Sequence, residues 1–266
     1  MKDFPQLGFG TYKLEDRDEC VNAVTTALDV GYRSIDTAQM YDNEAFVGEA
    51  LAASDVDVGD VFVATKLKPE NLGYDDALRT ARESAERLGV ETIDLLYVHW
   101  PLNTYDTDET LAALDELVDE GVVANVGLSN FRPDQLEAAI EKLDAPVFAH
   151  QVEMHPLLPQ DELRALADEY DHHLVAYSPI ARNEVAENDT IVEVAAKHDV
   201  SPAQVSLAWV MAKGATAIPK AASPDHIRDN FAALELELDD DDIEKIDAIE
   251  TDHRIVDFDE APWNQV

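Results

Sequence analysis

The chain has 266 residues, 46% of them hydrophobic, with one cysteine and 19 Lys+Arg against 57 Asp+Glu, a formal net charge of −38. That length suits one α/β barrel or two small domains, and the apolar content is ample for a core. The single thiol excludes an intrachain disulfide framework and a cysteine zinc cluster, and the charge disfavours nucleic acid and anionic membranes as partners.

Short β-like runs alternate with helical patterns along the whole chain. The runs are "QLGFGTY" (6–12), "YRSIDTA" (32–38), "VFVATKL" (61–67), "TIDLLYVHW" (92–100), "VVANVGLSN" (122–130), "PVFAHQVEM" (146–154), "HLVAYSP" (173–179) and "ATAIPKA" (215–221). Between them, "DDALRTARESAERLGV" and "PDQLEAAIEKLDA" carry apolar residues at helical spacing. Pro133 and the pair Ser201-Pro202 mark helix starts, and two helical patterns, 189–198 and 202–213, precede the eighth run. Cys20, in "DECVNAVTTAL", reads as a structural thiol on a helix. Near the end, "ELELDDDDIEKIDAIE" (235–250) still holds Ile243, Ile246 and Ile249 at helical spacing, so its acids belong to a solvated face.

Eight near-continuous apolar strands, each followed by a helix, imply a parallel sheet, and eight strands close a barrel. "LGFGTYK" lacks the third glycine of a dinucleotide fingerprint and opens no helix, so a doubly wound fold is not supported. The expectation is an α/β fold, a (β/α)8 TIM barrel, with residues 1–266 forming a single domain. No window reaches the roughly 18 apolar residues of a membrane span, and the start lacks a signal peptide. A soluble cytoplasmic protein is expected. Dispersed acidity on this scale is self-repulsive at low ionic strength and is screened by concentrated salt, which points to the salt-rich cytoplasm of an extreme halophile.

Function in such barrels gathers where strands end at their carboxyl side. The polar residues there are Asp36, Lys66, His99, Ser129, Asn130, Gln151, Tyr177, Ser178 and Lys220, with Tyr41 five residues beyond Asp36. Taken singly, Asp36 reads as a turn cap, Lys66 as a solvated loop lysine and His99 as a core histidine. Taken together they form a general acid for carbonyl reduction. A phenol of pKa near ~10 gives a proton readily but takes one back reluctantly; a lysine cation favours its phenolate, and a carboxylate keeps that lysine charged. A histidine within reach orients a carbonyl oxygen. No G-x-S-x-G elbow competes, His150 and His155 lack metal-ligand spacing, and the His172-His173 pair is a weak metal signal, so no metal is expected.

The segments "LGFGTYK", "IDTAQMYDNE", "ATKL", "LLYVHWP", "GLSNF", "QVEMHP", "YSPI" and "AIPKAASPDHIRDNF" resemble the aldo-keto reductase family, in order and one per strand. The resemblance implies NADPH, with NADH possible, bound extended on the barrel without a Rossmann domain. It places the catalytic tetrad on Asp36, Tyr41, Lys66 and His99, with Tyr41 as proton donor, Lys66 and Asp36 tuning it, and His99 orienting the substrate. It puts carboxamide recognition on Ser129, Asn130 and Gln151, ring stacking on Tyr177, and the pyrophosphate-side loop on Ser178, Pro179 and Ile180. Lys220 would meet a 2′-phosphate, with Asp229 and Asn230 at the adenine.

This sequence departs from the family at the adenosine end. The serine of the family's "IPKS" is Ala221, and the family's arginine position holds His226, so discrimination for the phosphate should relax. Tyr12, Trp100 and Trp263 are the implied substrate-pocket residues. Short loops after strands four and seven, and a short tail, imply an open site for small aldehydes, dicarbonyls or keto-sugars. The family's full N-terminal hairpin, which plugs the barrel floor, has no counterpart before strand one. A monomer acting on a small carbonyl substrate is expected; the alternative is a non-catalytic cofactor-binding or structural barrel of the same family. A hydrolase or isomerase using Asp36 and His99 alone would leave Tyr41 and Lys66 unexplained.

Overall fold

Eight apolar runs become the eight strands of one parallel sheet, in the order of the chain. A computed structural model describes residues 4–265. The strands are β1 (Phe9–Gly10), β2 (Ser34–Asp36), β3 (Phe62–Leu67), β4 (Leu95–Val98), β5 (Val126–Ser129), β6 (Val147–Glu153), β7 (His173–Tyr177) and β8 (Thr216–Ala217). Each lies inside its expected run and is shorter. The edges meet as well: Gly8 N–H donates to Ala217 O at 2.9 Å, Ala217 N–H to Gln6 O at 3.0 Å and Gly10 N–H to Pro219 O at 3.0 Å. A Cβ on Gly10 would stand 2.9 Å from Ile218 O, so this close approach requires glycine.

Helices α1 (Arg17–Val30), α2 (Glu44–Ala53), α3 (Tyr74–Leu88), α4 (Thr107–Asp119), α5 (Pro133–Lys142), α6 (Asp161–Tyr170), α7 (Asp189–His198), α8 (Pro202–Ala212), α9 (Pro224–Ala232) and α10 (Asp240–Asp247) flank the sheet. Their starts follow local chemistry. Asp16 accepts from Glu19 N–H at 2.9 Å, and Ser201 from Gln204 N–H at 3.1 Å, each meeting an amide with no partner inside its helix. Ile246 of α10 is buried while Ile243 and Ile249 pack at the core margin, and most of the acids face solvent. Asp242 does not: it is fully buried, accepts from Lys197 Nζ at 2.8 Å and lies 2.7 Å from His198 Nε2, which ties α10 to α7. Cys20 is fully buried, and burial pushes its thiol up to about 11. Among the described residues, no helix is long and apolar enough to cross a membrane.

Alternation divides the strand residues. Val63 and Leu67 of β3 face apolar clusters shared with the helices, whereas Phe62 and Ala64 join an interior cluster with Leu95, Tyr97, Ala149, Val175 and Ile218. Gly127 faces that interior, where a Cβ would lie 2.4 Å from the Tyr97 ring; its absence makes room for that tyrosine. At the amino end of the strands, the Phe4 ring sits 4.9 Å from Phe62, 5.3 Å from Phe148 and 5.0 Å from His173, centre to centre. This aromatic cluster fills that end of the sheet's interior. The opposite end is left for polar residues.

Candidate active site

The carboxyl end of the sheet opens into a cavity of about 500 Å³. Asp36 ends β2 in register with Ala64, so Lys66, two residues further along β3, rises on the same face. The Lys66 ammonium is fully buried; it pairs with one Asp36 oxygen and donates to Thr37 O at 2.8 Å. Gln151, from β6, donates its Nε2 to the other Asp36 oxygen at 2.8 Å.

Tyr41 lies on a 3₁₀ turn, Gln39–Tyr41, not in the first turn of α2. Gln39 holds that turn. Its Nε2 donates to Thr80 O and Ser84 Oγ, each at 3.1 Å, and its Oε1 accepts from Lys68 N–H at 3.1 Å and Asn71 Nδ2 at 2.9 Å. Both donors and both acceptor sites of the amide are thus used. The Tyr41 ring centre is 5.3 Å from Lys66 Nζ, 5.6 Å from the His99 ring edge-on and 5.3 Å from the Tyr12 ring.

The electrostatics differ from the sequence expectation in one respect. The lysine cation was expected to favour the Tyr41 phenolate. Instead burial, with Asp36 next, holds the Tyr41 pKa well above its ordinary value. Burial disfavours the charged phenolate, and the Asp36 carboxylate that pairs Lys66 also repels it. Burial pulls the Lys66 pKa below its ordinary value while Asp36 pulls it back. His99 is held well below the ordinary histidine range by burial and then by Lys66, and its buried Nδ1 has no hydrogen-bond partner. The site therefore presents a protonated phenol beside a neutral imidazole, above a buried ion pair.

Asn130, at a left-handed φ of 63°, folds its side chain back to the rim. Its Nδ2 donates to His99 O at 2.9 Å and Ser129 Oγ at 3.0 Å, and Tyr177 OH donates to its Oδ1 at 2.8 Å. Of the sequence-expected residues, Tyr12, Asp36, Tyr41, His99, Trp100, Asn130, Gln151, Tyr177, Ser178, Pro179, Ile180 and Lys220 line the cavity. Lys66 and Ser129 stand buried behind that lining. Trp263 reaches it through Trp100, ring centres 5.7 Å apart.

The adenosine-end residues are more remote. His226 is exposed in the first turn of α9, with its N–H on Ser223 Oγ at 3.3 Å. Asp229 accepts from Ser201 Oγ at 2.7 Å and Gln204 Nε2 at 2.6 Å, which ties α9 to α8, and Asn230 is buried. None of these three lines the cavity.

Other lining residues were not singled out from sequence: Thr11, Lys13, Met40, Arg182, Asn183 and Val256 among them. Left-handed φ values at Lys13, Arg182 and Asn183 mark bends in the chain that one-dimensional patterns do not carry. Lys13, Arg182 and Lys220 line the cavity without a carboxylate ion pair among the described residues. Three such cations in a chain of net charge −38 form a donor set suited to phosphates, and Tyr177 with the Asn130 and Gln151 amides suits a flat ring bearing an amide. A nicotinamide dinucleotide fits these residues.

The family model described as the Aldo/keto reductase family matches residues 6–251. Methylglyoxal reductase DkgB of Escherichia coli O157:H7 is 37% identical over 255 residues, covering 95% of this chain and 95% of its own. Glyoxal reductase of Bacillus subtilis (strain 168) is 35% identical over 253 residues, covering 95% of this chain and 91% of its own. Among solved structures, the aldo-keto reductase MGS-M4 from a Medee basin deep-sea metagenome library superposes with a TM-score of 0.92 at 32% identity, over 96% of this chain and 94% of that one.

Proposed function

The chain belongs to the aldo/keto reductase family and is an oxidoreductase of carbonyl groups; from that premise we propose a mechanism, a cofactor and a substrate range. The sheet is read as a closed (β/α)8 barrel and the chain as one domain, a reading supported by the hydrogen bonds from β8 back to β1. The substrates are small aldehydes, dicarbonyls and keto-sugars. The names of the methylglyoxal and glyoxal reductases support that range, as does the cavity volume of about 500 Å³.

When bound, the reduced nicotinamide supplies hydride to the carbonyl carbon. Tyr41 gives its phenolic proton to the carbonyl oxygen, so the product is the alcohol, and the phenolate regains a proton from solvent. A raised phenol pKa does not hinder this step, because an alkoxide is far more basic than a phenolate. Neutral His99 donates a hydrogen bond to the same oxygen and fixes its direction. Lys66, a cation held in its ion pair with Asp36 in the resting site, lies beside the Tyr41 ring and stabilises the phenolate as it forms. Ser129, Asn130 and Gln151 would hold the carboxamide, and Tyr177 would stack on the ring. Ser178, Pro179, Ile180, Lys13 and Arg182 would border the pyrophosphate, and Lys220 a 2′-phosphate.

NADPH is the proposed cofactor, with NADH also turned over, because His226 replaces a bidentate guanidinium. The net charge of −38 supports a protein of salt-rich cytoplasm, and we take it as a monomer. The observation that carries the mechanism is the buried Asp36–Lys66 pair beneath Tyr41, with His99 beside it. Cofactor oxidation with methylglyoxal, wild type against Tyr41→Phe, tests it. Loss of turnover with cofactor binding retained is expected; unchanged turnover would overturn it, and an inactive wild type that still binds cofactor would favour a binding role.

A further inference from the structure

Glu153 ends β6 as a fully buried carboxylate, and the proposed chemistry makes no use of it. Its Oε1 accepts the backbone N–H of Ile255 at 2.6 Å, and its Oε2 that of Val256 at 2.8 Å, across 102 and 103 positions of sequence. His155 Nε2 lies 3.0 Å from Oε1. Burial alone would raise the Glu153 carboxyl, yet His155 and the two amides draw it below its ordinary value. The carboxylate is therefore ionised, and hydrogen bonds to an ionised acceptor are roughly twice as strong as neutral ones.

The segment it holds lacks the ladder bonds of helix or strand from 251 to 260. Its path over the cavity thus depends on individual attachments. His253 N–H donates to Leu157 O at 2.8 Å, and Arg132 Nη1 to Pro262 O at 2.9 Å. The rings of Phe258 and Trp263 pack on Trp100 at 5.0 and 5.7 Å. The Glu153 bonds sit in the middle, and the residue they fix, Val256, is a wall of the catalytic cavity. Among the described residues, Glu153 is the carboxylate from outside the strap that accepts its backbone amides.

We infer that Glu153 is a positioning residue: it latches the 253–263 strap across the cavity mouth, and through Val256 it sets the bulk of carbonyl substrate admitted. The second half of this statement rests on the reductase reading; the first does not. The sequence suggests an open site, and the latch makes the 253–263 segment one of its walls.

Hydrogen exchange on the wild type tests the latch without any substitution. The peptide carrying Ile255 and Val256 should be protected at least about a hundredfold over unstructured chain. Exchange at the unstructured rate would overturn the latch even if every variant misfolded. In Glu153→Gln, whose side-chain amide presents a donor where an acceptor oxygen stood, exchange of that peptide should speed up about tenfold. Tryptic cleavage after Arg254 should accelerate similarly. Amides of β3 and β6 should keep their wild-type protection, which general destabilisation would not allow.

With both a small dicarbonyl and a bulky aromatic aldehyde as probes, kcat/KM for the bulky one relative to the small one should rise about fivefold or more, chiefly through KM. An unchanged tail or an unchanged substrate ratio in a folded Glu153→Gln protein would sink the proposal. A wild type with a protected tail but no reductase activity would count against the reductase reading while supporting the latch.

Discussion

Gln151 donates its Nε2 to Asp36 Oδ2 at 2.8 Å, while the opposite oxygen of the same carboxylate takes Lys66. One buried acid therefore joins β2, β3 and β6 beneath Tyr41. Removing its charge leaves the Lys66 ammonium buried with Thr37 O as its remaining partner. Asp36→Asn should lower unfolding stability by about 3–5 kcal/mol, whereas Gln151→Leu, which leaves both charges paired, should cost only about 1–2 kcal/mol. The double variant Asp36→Asn, Lys66→Met should recover most of the larger loss. Urea titrations in concentrated salt would show all three, and an Asp36→Asn protein as stable as wild type would contradict the picture of a coupled pair.

Tyr41→Phe keeps the ring against Tyr12 and His99 and deletes only the acid. Turnover should fall roughly 10²–10⁴-fold, with stability changed by less than about 1 kcal/mol. The pH profile adds a second check. The raised Tyr41 pKa keeps the phenol protonated beyond its ordinary range, and the lowered His99 pKa keeps the imidazole neutral well into acid. Neither of these two groups should therefore inflect the wild-type kcat/KM between about pH 7 and about pH 10. An alkaline inflection near pH 8 or 9 accompanied by tyrosinate absorbance that Tyr41→Phe lacks would contradict the assignment of a buried phenol as the acid. One without it reports loss of the Lys66 cation, whose pKa burial lowers.

The strands and their rim residues were legible because both follow local rules: apolar runs, alternation, and polar residues where a run ends. Asp36, Lys66, His99 and Gln151 all come from that pattern, and the cavity collects three of them with Lys66 directly behind. The direction of the Tyr41 shift was not legible, because it depends on how deeply the folded chain buries the phenol and on the nearby Asp36 charge, which pairs Lys66 across 30 positions. Gln39 escaped notice for a related reason: its partners lie on α3 and in the loop after β3, so "TAQMY" alone looks like a turn. Phe4 and Glu153 act over still longer separations, meeting Phe148 and Val256 respectively. A single acid in "QVEMHP" carries no mark of the tail it will hold.

His150 is fully buried with neither ring nitrogen hydrogen-bonded, 6.2 Å from the His172 ring. Burial, then His172, lowers its pKa to about 3. A folded-state value below the unfolded ~6.5 means that its contribution is fully present above pH ~6.5 and is lost as pH falls toward the folded value. His150→Leu should raise stability at neutral pH by about 1 kcal/mol by removing unpaired polar atoms. It should also reduce the slope of stability against pH between about 6 and 4 by up to ~1.4 kcal/mol per unit. Denaturant midpoints at pH 7, 6, 5 and 4 would test both, and an unchanged slope would show that the imidazole protonates with ease.

His226 stands exposed at the start of α9, where the family resemblance places an arginine. A guanidinium there adds a charge-assisted, bidentate partner for a 2′-phosphate and nothing for the corresponding hydroxyl of NADH. His226→Arg should raise the NADPH-to-NADH ratio of kcat/KM about tenfold or more, with the change in KM for NADPH. Comparable turnover with both cofactors is expected of the wild type. A hundredfold wild-type preference for NADPH would show that Lys220 alone suffices for recognition.

The net charge of −38 makes salt part of the stability problem. Repulsion among dispersed carboxylates acts over about 10 Å at 0.1 M salt and about 3 Å at 1 M. The thermal midpoint should rise by roughly 10 °C or more from dilute buffer to molar KCl, equivalent to a few kcal/mol for a chain of this size. Sucrose, which favours burial without screening, should give a smaller rise. Glu137 and Glu141 sharpen the test: both are exposed and four residues apart on α5, where like charges repel, and Glu141 lies in the last turn, where the helix dipole also disfavours an acid. A Gln at 137 can still accept from Tyr170 OH. Changing both to Gln should raise the midpoint in dilute buffer and leave it nearly unchanged in molar salt. If the pair of substitutions acts equally in both conditions, its effect is one of packing or propensity, and screened repulsion is the wrong account of the salt dependence.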